Sequence, residues 1–146
     1  MTQRDKNTLK KLCEACMVDL VYLASETFTI VTSNAKILEN EHYNYNSHNA
    51  IKSLADLFMK IHIHGWDTLT ENEKFYSGIH VRHVTKISQN HNFNISEYRD
   101  YNNQLKDFSE LIDNLQRIFQ LIFPDIRDIL EAKEVIEEES YRFREG

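Results

Sequence analysis

Apolar residues recur at helical spacing along most of this chain. Between about residues 8 and 38 they form two adjoining seams, Leu9, Cys13, Cys16, Leu20 and Leu23 on one, and Met17, Val21, Ala24, Phe28, Val31, Ala35 and Leu38 on the other. One long helix is predicted. It includes the β-branched and aromatic stretch 27–32, because the steps of three and four persist there despite low helix propensity. Residues 39–49 are polar and asparagine-rich, without periodic apolar positions, and predict a loop. A second helix is predicted from about residue 47 to residue 64, burying Ile51, Leu54, Ala55, Phe58 and Ile61. Gly65 is placed to end it in a left-handed cap, with Trp66 packing back over the last turn.

Thr70 and Glu73 have the spacing of a capping box, so a third helix is predicted to start at Glu71 and stop near Ser88, carrying Phe75, Tyr76, Ile79, Val84 and Ile87. Asn94 and Glu97 repeat that logic and open the most regular seam of the chain, Tyr98, Tyr101, Leu105, Phe108, Ile112, Leu115, Phe119 and Ile122. Leu111 and Ile118 widen it, which points to a bundle core rather than to the narrow seam of a two-stranded coiled coil. Pro124 is expected to end or kink this helix. A charged last helix, about 125–144, follows with Ile126, Ile129, Leu130, Ile136 and Phe143 on one face. The pattern predicts an all-α protein: residues 1–146 form a single-domain bundle of four to five helices, with long first and fourth helices.

Composition agrees. Three glycines and one proline in 146 residues are too few to turn the chain of a β-sandwich or barrel. The length suffices for a core without disulfide or metal. A formal charge of -6 opposes non-specific attraction to phosphate backbones, so nucleic acid is not the expected partner. The one basic cluster, Arg4, Lys6, Lys10 and Lys11, reads as a solvated helix end. Charges interrupt the apolar stretch 9–31, which excludes a signal peptide or membrane span there and favours a cytoplasmic protein. Ile, Asn, Lys, Phe and Tyr make up 52 of the 146 residues, the bias of AT-rich coding sequence, as in many bacterial and phage genomes.

Candidate chemistry is sparse. Cys13 and Cys16 sit on a core seam and are too close along one helix to pair, so they read as packing in a reducing compartment. Four of the seven histidines fall in two tight pairs, His62 with His64 and His80 with His83. The second pair has the i, i+3 spacing at which two imidazoles can share an ion. Together the four define an alternative reading, a bundle binding zinc or another divalent metal. It would be a metal-dependent hydrolase if Asp67, Glu71 or Glu73 served as a further ligand or base. No nucleophile elbow, phosphate loop or dinucleotide fingerprint is present, so no catalytic residue and no organic cofactor is assigned.

The balance of these observations favours a non-catalytic interaction module: a regulator, adaptor, inhibitor or immunity-type protein. The seams of the first and fourth helices carry more apolar surface than a small bundle buries, which predicts a protein partner, a homodimer, or both. Phe28, Tyr43, Tyr45, Tyr98, Tyr101 and Phe108 are the candidate contact residues. The acidic surface would steer the protein toward a basic partner.

Overall fold

The computed structural model describes residues 1–33, 45–89 and 108–145, with side chains for 1–21, 23–25, 48–89, 109–129 and 131. Its elements are α1 (Gln3–Ser33), α2 (Tyr45–His64), a 3₁₀ turn (Trp66–Thr68), α3 (Glu71–Gln89) and α4 (Phe108–Glu145). No strand occurs among the described residues. Neither does a helix long and apolar enough to cross a membrane.

Long-range contacts fix an antiparallel arrangement. Val21 lies beside His48, and Lys6 reaches Asp67, so α1 and α2 run in opposite directions. Val81 and Lys86 share a groove with Phe119 and Gln116, and Met1 meets Asp125, which sets α4 antiparallel to both α3 and α1. The helices follow one another round an up-down-up-down bundle, α1 on α2, α2 on α3, α3 on α4 and α4 back on α1. Leu9, Cys13, Cys16, Leu20 and Leu23 face Ile51, Leu54, Phe58 and Ile61 in the core, all fully buried. The first seam of α1 and the apolar face of α2 are therefore as expected.

Local signals explain most boundaries. α1 starts five residues earlier than its apolar pattern predicts, because the Thr2 hydroxyl accepts a hydrogen bond from the Asp5 amide at 3.1 Å and caps the helix. It runs without a break through the β-branched stretch 27–32. Its expected continuation to residue 38 falls outside the described residues, as do residues 39–44 of the expected loop and the Asn94–Glu97 cap, whereas residues 45–49, expected in that loop, are instead the first turn of α2. At Thr70 both hydrogen bonds of the capping box form: the Thr70 amide donates to Glu73 Oε1 at 2.9 Å, and the Glu73 amide donates to the Thr70 hydroxyl at 3.2 Å.

Three expectations are corrected. Gly65 ends α2 with positive φ, but at φ 93° and ψ 159° it is extended rather than left-handed helical, a combination open essentially to glycine alone. It turns the chain into the 3₁₀ turn. The core seam of α4 is Leu111, Leu115, Ile118, Ile122 and Ile126, whereas Ile112 and Phe119 flank it half-buried. A helix that packs on two neighbours, α1 and α3, buries a wider stripe than a heptad seam, and Leu111 and Ile118 lie at its centre. Pro124 neither ends α4 nor opens a separate fifth helix. Ile122 and Ile126 are both fully buried either side of it, and their packing holds the segment helical across the missing amide. The described residues thus form four helices, the fourth including the charged segment to Glu145.

Candidate interaction surfaces

Among the described residues, a set of polar interactions lies at the end of the bundle where α1 begins and α2 turns into α3. Trp66 is buried at 2% exposure, and its indole N–H donates to Asp125 on α4 at 2.7 Å. The other oxygen of that carboxylate lies 3.6 Å from the Met1 ammonium. One aspartate therefore ties three elements. Lys6 of α1 holds Asp67 at 2.6 Å, and Lys60 of α2 holds Glu73 at 2.7 Å. The hydrogen bonds from these lysines keep both carboxyls below their ordinary pKa values, with the Thr70 amide adding to the effect at Glu73.

These attachments bear on the metal reading. Asp67 and Glu73, which would serve as extra ligand or base, are engaged by lysines. His62 sits on the α1 side of α2, with Nδ1 3.9 Å from the Glu14 carboxylate, while His64 lies exposed at the helix end. His80 and His83 lie together on α3, and His80 stacks on Tyr76 at 6.0 Å between ring centroids. Two residues apart on a regular helix, His62 and His64 diverge. The four histidines do not converge, and no group of three or more His, Cys, Asp or Glu suited to a metal ion occurs among the described residues. Burial lowers the pKa of both α3 histidines. His80 is pushed further by neighbouring His83, and His83 by Lys86, so the neutral imidazole is favoured at both. Cys13 and Cys16 are free and buried. Burial raises both thiols, Cys16 to about 12 with Asp19 and Glu110 adding to the shift, and the thiolate needed for nucleophilic or metal chemistry is strongly disfavoured.

Among the described residues grooves open on three edges of the bundle, one of them, of about 440 Å³, between the start of α1 and α4 beside Asp5, Gln120 and Pro124, and the other two on opposite edges. Between α1 and α2, a groove of about 430 Å³ is lined by Val21, Ala24, Ala55 and Lys52 among others. Beside it on α1, Val18 is 74% exposed and Val21 59% exposed. Of the second seam of α1, Val21 is exposed while Met17 and Ala24 pack partly buried against the core, and the side chains from Phe28 onward lie outside the described residues. Between α3 and α4, a groove of about 380 Å³ is lined by Val81, Arg82, Thr85, Lys86, Gln89, Gln116 and Phe119. The Arg82 guanidinium stacks over the Phe119 ring at 4.8 Å. The apolar pattern flags the first groove through Val21. The second escapes it, because Arg82, Lys86 and Gln116 read as ordinary solvated positions until α3 and α4 are placed side by side.

Of the candidate contact residues, Phe28, Tyr45 and Phe108 lie on described helical backbone but their side chains are outside the described residues. Tyr43, Tyr98 and Tyr101 are outside them altogether. The described helices form an antiparallel four-helix bundle. Comparison with models of protein families, with curated proteins and with solved structures found no match.

Proposed function

We propose that this protein works by binding another protein through the outer face of α1, as a non-catalytic regulator, adaptor, inhibitor or immunity-type bundle. The observation that carries this reading is the pair Val18 and Val21, one helical turn apart and mostly exposed, bordering a groove with Ala24 and Ala55 on its walls. Branched apolar side chains adjoining a concave apolar strip suit a partner's helix or apolar side chains. The net charge of -6 adds long-range attraction toward a basic partner. A reducing cytoplasm suits the two buried free thiols.

The test is a Val18→Asp, Val21→Asp double variant. Wild-type protein is expected to co-purify in a stoichiometric complex with a second protein, whereas the variant, with an unchanged helical circular-dichroism spectrum, is expected to lose that partner. A complex with that second protein that survives both aspartates would remove α1 as the binding face.

A further inference from the structure

The groove between α3 and α4 stands apart in an acidic protein. Its charged lining is wholly cationic: Arg82 and Lys86 form no ion pair among the described residues, and no carboxylate lines the groove with them. Gln89 and Gln116 add amide donors on either wall, and Val81 and Phe119 provide an apolar floor. Such a groove is complementary to a helix carrying carboxylates next to apolar side chains.

The chain contains such a helix and presents it away from its own groove. Met1 and Trp66 both meet Asp125, so α1 begins and the turn between α2 and α3 lies at that level of α4. Helical backbone nevertheless continues to Glu145. At a rise of about 1.5 Å per residue, α4 runs on for about 30 Å past Asp125. Residues 130–145 hold six glutamates against three bases, with Glu137, Glu138 and Glu139 consecutive. The groove lies in the other direction along α4, at Gln116 and Phe119. A continuous helix cannot turn back to reach it, so the acidic end can meet only the groove of a second molecule.

We infer that the α3–α4 groove receives the acidic end of α4 from a second copy of this chain. With their α4 helices antiparallel, two copies exchange ends reciprocally, and the contact closes as a symmetric dimer. Phe119 and Phe123, half-buried on the groove side of α4 with ring centroids 5.3 Å apart, extend the apolar part of the contact. The inference goes beyond the α1 reading and uses the opposite edge of the bundle.

The test measures self-association of the full chain by sedimentation at low and high salt, for wild type, Arg82→Glu with Lys86→Glu, and Glu137→Lys with Glu138→Lys and Glu139→Lys. The wild type is expected to dimerise, more weakly as salt rises. Each charge-reversed protein, folded by circular dichroism, is expected to dimerise more than about tenfold more weakly alone, because each reversal acts at both symmetric contacts. Mixing the two matches both contacts, one with wild-type and one with reversed polarity, and returns a mixed dimer. A wild type that is monomeric at every concentration and salt overturns the inference, as does a dimer indifferent to both reversals or a failure of the mixture to pair. The Val18→Asp, Val21→Asp variant keeps this dimer. If it alone abolishes self-association, the contact belongs to α1 and the exchange is wrong, so the two readings fail separately.

Discussion

The two ends of the bundle treat charge differently. Where α1 begins, Asp67, Glu73 and Asp125 each meet a cation, and Asp125 also accepts from Trp66. Toward the far end, the α3–α4 groove presents Arg82 and Lys86 without ion pairs among the described residues, and the α1–α2 groove leaves Val21 exposed. Groups matched within the chain position its elements. Groups left unmatched among the described residues are the ones offered here to another molecule. The closed end should therefore respond to mutation in stability, and the grooves in association.

The sharpest break of that contrast is at Trp66. Trp66→Ala removes a buried indole and leaves Asp125 with one partner fewer, with an expected loss of about 3–5 kcal/mol in denaturant unfolding. A loss below about 1 kcal/mol would mean that the closed end does not govern stability. Thr70→Ala removes half of the capping box and should cost about 1 kcal/mol by the same measurement.

A smaller effect is expected from the α3 histidines. Their folded pKa values lie below the ordinary 6.5, so as pH falls through that value the unfolded chain takes up protons that the folded chain resists, and stability declines toward acid. Replacing His80 and His83 with asparagine should flatten the stability profile between about pH 7.5 and 5.5. An equally steep profile in the double variant would place the titrating groups elsewhere. Least affected should be the groove variants. Val18→Asp with Val21→Asp, or Arg82→Glu with Lys86→Glu, should shift unfolding by no more than about 0.5 kcal/mol, as exposed positions do. A larger loss would assign those side chains to the fold.

What could be read from the sequence is mostly what acts over one turn of helix. The Thr70–Glu73 box spans three residues and is visible as a pattern, and the Leu9-to-Leu23 seam needs only a period. The Thr2 cap acts over the same distance, but it precedes the first periodic apolar residue and so lies outside the pattern that marked the helix start. Pro124 shows a limit of another kind. Its local effect is real, but the buried pair Ile122 and Ile126 outweighs it, and that weight depends on packing partners no local rule contains. The Trp66–Asp125 bond joins residues 59 apart. The cationic groove likewise exists only once two helix flanks, each unremarkable alone, face one another.

Trp66 is the only tryptophan among seven tyrosines. Excited selectively, it makes the closed end an optical reporter that needs no label. Its indole is 2% exposed, hydrogen-bonded to a carboxylate, and has the Lys74 ammonium 5.4 Å from the ring. Parting α4 from the turn would move the emission toward the colour of a hydrated indole, and a single fluorescence trace would then time the opening of that end separately from the loss of helix.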